Sequence, residues 1–255
     1  MHPYMLFPYA FRFDQKRVIE KINAYLETGS TILFHAPTGY GKTIVVLSAV
    51  VPLSVEWDVP IIWAVRTGNE TDRPIEELKK VCEHSGLSKY GLSIRGKRDM
   101  CILARERGIM DSEGVSVLCE KMKRKCKFFE NLHYFRGMPD KPTTFSEILE
   151  MANEWRVCPY YLQLRLLSRA MLMSMSYNYI FSDRFRWVLK SYVDIDGSIL
   201  VVDEAHNLQH VMAQVNSDKI TMGTVERAAN ELRNIGTRRS ILLLGKVESL
   251  KRVLE

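Results

Sequence analysis

An α/β fold with a parallel sheet is predicted by three short apolar segments of this 255-residue sequence. Residues 32–34 (Ile-Leu-Phe) lead into a glycine-rich loop, a pattern typical of a buried strand followed by a helix. Residues 61–65 form a second apolar run. Residues 198–202 form a third, whose unbroken apolar character predicts a strand buried on both faces of the sheet. With 46% hydrophobic residues, the chain can build a core for one or two domains.

The loop at residues 36–43 (Ala-Pro-Thr-Gly-Tyr-Gly-Lys-Thr) has the pattern of a phosphate-binding loop. Glycines in such a loop let backbone N–H groups approach the phosphates at the N-terminus of the following helix. Lys42 would add a positive charge at the β- and γ-phosphates, and Thr43 would offer a hydroxyl to magnesium. Ala36 stands where the general pattern has its first glycine. The predicted nucleotide-binding residues of the loop are Ala36, Pro37, Thr38, Gly39, Tyr40, Gly41, Lys42 and Thr43.

Two adjacent carboxylates, Asp203 and Glu204, follow the third predicted strand. Ligands of open α/β sheets bind at the carboxyl ends of the strands. Asp203 is suited to hold magnesium, and Glu204 is suited to orient and deprotonate an attacking water. An acidic pair at this position can also cap the next helix. The phosphate loop upstream and His206 downstream favour the catalytic interpretation, with a catalytic set of Lys42, Asp203, Glu204 and His206.

Four of the five cysteines form a group separated by 17, 6 and 31 residues: Cys101, Cys119, Cys126 and Cys158. The sequence has no charged-then-apolar leader and no run of 18 apolar residues, so we expect a cytoplasmic protein without membrane segments or disulfides. Four thiols in that environment suggest a metal site. Their spacing matches neither the paired cysteines of a zinc finger nor a ferredoxin run. Zinc, an iron–sulfur cluster and unpaired cysteines therefore remain open from spacing alone.

The phosphate loop and residues 203–206 (Asp-Glu-Ala-His) together resemble the motifs of superfamily 2 helicases of the broad DEAH-box type. The resemblance implies a RecA-like P-loop NTPase motor domain that uses ATP and Mg²⁺. Residues 11–15 (Phe-Arg-Phe-Asp-Gln) are similar to the adenine-reading motif of that family, in which Arg12 and Gln15 would contact the nucleotide. The alternative for Gln15 is a polar surface residue at a helix start. Residues 61–67 are similar to the next motif, in which Arg66 and Thr67 would contact the phosphates of a single strand.

The cysteine-rich stretch resembles the 4Fe–4S domain of the XPD-like helicases and their DinG-type relatives. The resemblance rests on residues 95–101 (Arg-Gly-Lys-Arg-Asp-Met-Cys), 126–130 (Cys-Lys-Phe-Phe-Glu) and 158–161 (Cys-Pro-Tyr-Tyr). It implies that a 4Fe–4S cluster is bound by Cys101, Cys119, Cys126 and Cys158. Cys82 has no counterpart in that pattern, and we interpret it as a buried structural thiol. The tyrosine-rich residues 176–183 are similar to the segment that leads back into the motor domain of these helicases.

The formal net charge of +6 suits a polyanionic partner. Runs of basic residues are usually a solvated face, but here they flank the predicted cluster of a nucleic-acid motor, which favours contacts with phosphates. The predicted DNA-contacting residues around the cluster are Lys97, Arg98, Lys123, Arg124 and Lys125. The aromatic residues that follow could stack on bases, although some must pack the small cluster domain: Phe128, Phe129, Tyr134 and Phe135.

The resemblance also implies a domain organisation. Residues 1–93 would be the first part of a RecA-like domain, 94–163 an inserted cluster domain, 164–208 the second part, and 209–255 the start of a helical, arch-like insertion. We expect a Leu/Met-rich helix after residue 164 and a helix at 224–235. Because a structural metal supplies folding free energy, the insertion should be disordered without its cluster. No motif of a second RecA-like domain is present, so that domain is expected to be missing.

These features predict the N-terminal motor part of an ATP-dependent DNA helicase. By resemblance, the enzyme would move 5′ to 3′ on single-stranded or forked DNA and act in DNA repair. Without a second motor domain, this chain is expected to bind nucleotide weakly and to unwind nothing unaided. One alternative is a non-catalytic iron–sulfur DNA-binding module, or a fragment that needs a partner in trans. Another is a zinc-binding P-loop ATPase outside the helicases.

Overall fold

The computed structural model describes residues 2–215, 217, 220 and 222–254. Its backbone divides into two compact units, Met1–Val211 and Met212–Glu255. The first unit contains a parallel sheet with the strand order β2-β3-β1-β4. The strands are β1 (Ile61–Val65), β2 (Gly91–Ser93), β3 (Leu172–Ser176) and β4 (Ile199–Val202). The predicted α/β fold with a parallel sheet is therefore confirmed.

Helices connect the strands and continue beyond them. Those before the cysteine-rich stretch are α1 (Gln15–Glu27), α2 (Lys42–Trp57) and α3 (Asp72–Ser85). Between β2 and β3 lie α4 (Lys97–Met100), α5 (Ile102–Glu106), α6 (Ser112–Met122), α7 (Lys127–Asn131), α8 (Phe145–Glu154) and α9 (Pro159–Leu167). The later helices are α10 (Tyr177–Phe181), α11 (Asp183–Lys190), α12 (Leu208–Val215), α13 (Met222–Ile235) and α14 (Arg238–Leu254).

The prediction of a buried strand at residues 32–34 is wrong. This segment has no strand conformation, and the side chain of Leu33 is 94% exposed. Ile32 and Phe34 are half-buried and pack against the core. A strand needs a neighbour with which to share backbone hydrogen bonds. Among the described residues, the only strand that pairs with β4 is β1, and no strand bridges the gap to residues 32–34.

The strand that precedes Asp203 is also less buried than predicted. It was expected to be covered on both faces, but β4 is the edge strand of the described sheet and Leu200 is 46% exposed. The sheet also contains two strands that the sequence did not predict, β2 and β3. In particular, β3 occupies the Leu/Met-rich stretch where a continuing helix was expected, whereas the helix ends at Leu167. Pairing with β1 and β2 overrides the helix preference of Leu and Met in this segment.

Two hydrophobic cores cover the two faces of the sheet, because successive side chains of a strand point to opposite faces. On one face, Ile61, Trp63 and Val65 pack with apolar residues of α1, α2 and α3. On the other face, Ile62 and Ala64 pack with residues of α8, α9 and α10. Both cores extend to the carboxyl end of β1. The sheet thus gives the chain that follows each strand a rigid support.

The predicted cluster insertion, residues 94–163, is not packed uniformly. Its last part belongs to the sheet, because Ile148 and Ala152 of α8 are fully buried in the second core. Thr143 also pairs with Leu92 at the edge of β2, and its N–H donates to the Gly91 carbonyl at 2.8 Å. The boundaries 1–93, 94–163, 164–208 and 209–255 remain predictions. Before residue 143, Met100, Leu132 and Phe135 also belong to this core, so the earlier part of the insertion is anchored to it at both of its ends.

The second unit is a helical hairpin made by α13 and α14. The predicted helix at 224–235 lies within α13, and α14 contains a short apolar run at residues 240–244 (Ser-Ile-Leu-Leu-Leu). Arg233 pairs with Glu248 at 2.9 Å, and Lys251 pairs with Glu226 at 3.1 Å, so ion pairs link the two helices. In neither unit is a described helix both long enough and apolar enough to cross a lipid bilayer.

Candidate nucleotide-binding site and cysteine cluster

The predicted phosphate loop forms a turn that ends directly at the N-terminus of α2. Gly39 and Gly41 have φ values of 82° and 85°, in the left-handed region that favours glycine. The helix begins at Lys42, and its next residues are anchored by Ile44 and Val45, which are 5% and 0% exposed. Thr43 therefore lies in the first turn of a helix whose free N–H groups face the loop. This geometry is suited to bind an anion.

The two motifs that lie far apart in the sequence meet in the structure. The Lys42 Nζ atom is 3.8 Å from the Glu204 Oε1 atom and donates to the Ala36 carbonyl at 3.3 Å. Glu204 Oε2 in turn lies 3.3 Å from His206 Nδ1. Because β1, β3 and β4 are parallel, the chain after each strand emerges at the same edge of the sheet. The structure thus brings together the residues predicted as catalytic: Lys42, Asp203, Glu204 and His206.

Glu204 has an unusual backbone conformation. Its φ is 50°, in the left-handed region that costs a residue with a side chain roughly 1–2 kcal/mol. Such strain persists where the surrounding structure determines the conformation, and it is concentrated at functional sites. Here it turns the chain sharply after β4 and directs the Glu204 carboxylate to Lys42.

Asp203 is held by two aromatic residues whose roles the sequence did not reveal. The indole Nε1–H of Trp63 donates to Asp203 Oδ2 at 3.4 Å, and the Tyr177 hydroxyl donates to the Asp203 carbonyl. Burial raises the pKa of the Asp203 carboxyl, and the nearby Glu204 charge raises it further. The hydrogen bond from Trp63 and the positive charge of Lys42 lower the pKa, but by less. The only sequence signal was a polar indole in an otherwise aliphatic strand. Its partner lies 140 residues away, so pattern alone could not identify the pair.

Gln15 is a buried residue, 4% exposed, and its amide binds the protein on both sides. Its Oε1 atom accepts from the Arg12 backbone N–H at 2.7 Å, and its Nε2 donates to the Tyr40 carbonyl at 2.6 Å. The alternative of a polar surface residue is therefore wrong. Arg12 itself is exposed. Gln15 links the segment at 11–15 to the phosphate loop, a contact that sequence reasoning missed.

Arg66 and Thr67 follow β1 at the same edge of the sheet and are both exposed. The backbone N–H of Thr67 donates to Glu70 Oε2 at 2.9 Å, within a capping box that starts a short 3₁₀ turn at Gly68–Glu70. The Thr67 amide is therefore already paired. The two side chains stay on the surface beside the acidic residues, where a ligand could reach them.

The four grouped cysteines are free thiols and half-buried. Cys101, Cys126 and Cys158 each precede a helix as its N-cap residue, and Cys101 Sγ accepts from the Ala104 N–H at 3.4 Å. Burial raises the pKa of Cys101, and burial raises that of Cys158 to about 12. Cys119 and Cys126 add to both rises, so these two cysteines lie near both Cys101 and Cys158.

This thiol group does not have the geometry of a site for one metal ion. In the described ranges, no three Cys, His, Asp or Glu side chains converge closely enough to hold a single ion. A tetrahedral zinc needs its thiolates at about 2.3 Å from one centre. In a four-iron cluster each thiolate binds a different iron, so the ligands are set farther apart.

The predicted DNA-contacting residues divide into two kinds. Lys123 lies over the rings of Phe129 and Tyr161, at 4.8 and 4.4 Å from their centroids, and Lys97 lies 5.3 Å from that of Tyr160. These lysines therefore help to hold the aromatic residues around the cysteines. The other three are exposed, and Arg98 pairs with Asp99 at 3.0 Å: Arg98, Arg124 and Lys125.

The aromatic residues predicted to stack on bases are also divided. Phe128 and Phe135 are 7% and 6% exposed and cannot stack on a base without unfolding. Phe129 is half-buried and packs edge-on against Tyr161, with the ring centroids 4.7 Å apart. Tyr134 is 78% exposed. Of the four, only Tyr134 is placed as an open stacking surface.

Comparison with known proteins identifies a consistent set of relatives. The DEAD_2 family matches residues 63–225, which include all four grouped cysteines. The helicase subunit XPD of general transcription and DNA repair factor IIH from Dictyostelium discoideum is 25% identical over 271 residues, which cover 98% of this chain and 34% of the relative. The ATP-dependent DNA helicase XPD of Sulfolobus acidocaldarius is 28% identical over 228 residues, which cover 88% of this chain and 38% of the relative.

The fold is also shared with a solved structure. A structure described as an XPD helicase superimposes with a TM-score of 0.66 at 26% identity, and the match covers 93% of this chain and 40% of that one. The chain spans about a third of the length of the curated relatives named above. The matches to the XPD proteins cover nearly the whole of this chain, and with it the phosphate loop, the cysteines and the acidic pair.

Proposed function

Since the chain belongs to the DEAD_2 family, we propose that it is the nucleotide-binding part of an ATP-dependent DNA helicase similar to XPD. The observation that carries the proposal is the 3.8 Å contact between Lys42 and Glu204, which joins two motifs 162 residues apart at one edge of the sheet. ATP with Mg²⁺ is the ligand that this family implies. Unwinding, 5′ to 3′ movement and a role in DNA repair are proposed for the whole protein, together with a second motor domain.

Each residue of the site has a proposed role. Lys42 would bind the β- and γ-phosphates, and Thr43 and Asp203 would hold the magnesium ion. Glu204 would orient the attacking water and accept its proton. In the structure Glu204 pairs with Lys42, so a γ-phosphate that takes Lys42 would release the carboxylate for this task. His206 contacts Glu204, so the release of Glu204 from Lys42 would also alter the surroundings of His206.

We further propose that the four grouped cysteines bind a 4Fe–4S cluster: Cys101, Cys119, Cys126 and Cys158. Their order resembles that of the XPD-like helicases, and the nearness of Cys119 and Cys126 to both Cys101 and Cys158 supports a common site. When bound, the cluster would cross-link the short helices α4 to α7 and the start of α9. The exposed Arg66, Arg124 and Lys125, with Tyr134, would then contact single-stranded or forked DNA.

Nucleotide binding by purified protein tests the central proposal. Calorimetry with ATP and Mg²⁺ should detect binding to the wild-type chain, and Lys42→Ala should abolish it because the phosphates lose their charged partner. Lys21→Ala is a matched control, because Lys21 is exposed on α1. Wild-type affinity in Lys42→Ala would refute the phosphate-loop assignment.

A non-catalytic DNA-binding module is the second candidate function. It is favoured by the exposed basic residues Arg124 and Lys125 beside the cysteines, because contacts of these residues with phosphates need no nucleotide. The two candidates differ in one measurement, hydrolysis of ATP stimulated by single-stranded DNA in the complete protein. Stimulated turnover that requires Glu204 supports the motor, whereas DNA binding without any turnover supports the module.

A further inference from the structure

In the part of the chain that the structure describes, the hydrogen bonds between residues 11–15 and the phosphate loop both go to Tyr40. Its hydroxyl donates to Asp14 Oδ1 at 2.9 Å, and its carbonyl accepts from Gln15 Nε2 at 2.6 Å. Its ring packs edge-on against Phe34, with centroids 5.8 Å apart. Tyr40 stands between the two left-handed glycines of the loop, so its position determines the course of the loop on both sides.

Asp14 precedes α1, a position at which the carboxylate usually caps the helix. It is the N-cap residue of α1, a position at which an aspartate side chain usually accepts from the first turn of the helix. Here the Asp14 side chain caps nothing and is bonded to the Tyr40 hydroxyl instead. The contact with the phosphate loop thus takes the place of an ordinary helix cap.

The residue before Asp14 is strained and exposed. Phe13 has a φ of 48°, which is unfavourable for a bulky side chain, and its ring is 97% exposed. Neither feature stabilises the folded chain. Both follow if the segment is held in this conformation for a ligand, since backbone strain is concentrated at binding sites.

Gly41 of the loop lies next to the Gln15 side chain. A Cβ atom added at Gly41 would lie 3.4 Å from Gln15 Nε2, so the Gln15 amide lies directly against the backbone that leads into α2. Burial raises the pKa of Tyr40 to about 12, and the bond to Asp14 adds to the rise. The phenol therefore remains a hydrogen-bond donor at all physiological pH values.

We propose that Tyr40 is a positioning residue that couples recognition of the nucleobase by residues 12–15 to the geometry of the phosphate loop. The inference rests on the proposed function, in which that segment reads the base. A base bound there would fix Asp14 and Gln15, and their two bonds would fix Tyr40 and hence the loop. A ligand with phosphates but no base gains nothing from this coupling.

Two ligands and two variants test the coupling in the full chain. Affinities are measured by calorimetry for ATP and for inorganic tripolyphosphate, which has the phosphates without a base. Tyr40→Phe keeps the ring and removes the bond to Asp14, so it should weaken ATP binding by about tenfold and change tripolyphosphate binding less than about twofold. Asp14→Ala should have the same effect, and the double variant should lose no more than either single variant. Tyr25→Phe, at an exposed tyrosine of α1, is the matched control.

The outcomes separate this inference from the proposed function. If Tyr40→Phe weakens ATP and tripolyphosphate equally, the contact only supports the loop and the inference is overturned. Unchanged ATP affinity in both single variants also overturns it. If the wild-type chain binds neither ligand, or if binding does not require Lys42, the proposed function itself fails, and the inference fails with it. Should Tyr40→Phe not fold, Asp14→Ala carries the same comparison.

Discussion

The nucleotide site and the cysteine group are built in different ways within the same unit. The nucleotide site stands on a four-stranded sheet with a hydrophobic core on each face. In the cysteine group, Cys101 and Cys126 stand at the starts of α5 and α7, helices of five residues that bury one side chain each, Ala104 and Phe128, while Cys119 lies in α6 and Cys158 precedes α9. Helices this short are not stable by themselves. The first region is held by packing throughout, whereas the second packs against the core at its ends, through Met100, Leu132 and Phe135, and would depend on the proposed cluster between them.

The largest expected effect is the loss of the proposed cluster in Cys126→Ser. Iron and acid-labile sulfide should fall from about four each per chain to near zero, because the ligand set is incomplete. A structural metal site can contribute on the order of 10 kcal/mol to folding, so residues 101–131, between the core residues Met100 and Leu132, should become sensitive to protease. Hydrogen exchange should stay slow in the strands of the sheet.

Cys82→Ser is the control for that variant, because the Cys82 sulfur lies half-buried on α3, 3.8 Å from the Lys89 carbonyl, apart from the group. It should retain the iron and sulfide. If it loses them while Cys126→Ser does not, the ligand assignment is wrong. One zinc per chain and no sulfide would instead support the zinc-binding ATPase.

A substitution in α8 tests where the packed region ends. Ile148 lies within the predicted insertion but is fully buried in the sheet core, so Ile148→Ala should lower the free energy of unfolding by about 2–5 kcal/mol. Urea unfolding measures the change. Val117→Ala, at a residue 42% exposed on α6, should change it by less than about 0.5 kcal/mol. Bleaching of the cluster by Ile148→Ala, without a change in unfolding, would place α8 with the cysteine group.

The smallest expected effect concerns an ion pair that joins α3 to α8. Lys79 Nζ lies 2.5 Å from Glu147 Oε2. Burial alone would raise the pKa of Glu147, but the bonds from Lys79 and Thr144 more than offset it, and the pKa is lowered. The resulting stability is present above the unfolded pKa of about 4.3 and is lost as the pH falls through the lower folded value.

Lys79→Met should therefore cost less than about 1 kcal/mol at pH 7, since the Glu147 side chain is 41% exposed. The difference from wild type should shrink as the pH falls below about 4. Urea unfolding across this pH range measures it. A difference that stays constant with pH would mean that the loss comes from packing of the lysine stem and not from its charge.

The features that the sequence predicted well are those encoded within a few consecutive residues. The phosphate loop and the acidic pair are of this kind, since the loop glycines and the strand-end carboxylates are each recognisable from their neighbours. The strand predicted at residues 32–34 was wrong because a strand depends on a distant partner. For the same reason β3 was missed, as its Leu and Met residues favour a helix until β1 and β2 flank them.

The supporting contacts of the site could not be predicted for a related physical reason. The bonds of Trp63 to Asp203 and of Tyr40 to Asp14 join residues 140 and 26 positions apart. Aromatic residues in such positions are equally suited to a hydrophobic core, and Trp63 is also part of one. The periodicity of apolar residues in a sequence indicates which side chains face the core. It does not indicate which of the buried rings also donates a hydrogen bond to a distant residue.

The contact between Trp63 and Asp203 gives the protein an internal optical reporter. Trp63 is 1% exposed, whereas the other three tryptophans are 43–66% exposed: Trp57, Trp155 and Trp187. Iodide in solution will therefore quench the emission of those three and leave that of Trp63. The remaining signal comes from an indole bonded to the carboxylate that would turn toward magnesium, so metal and nucleotide binding can be followed without a label.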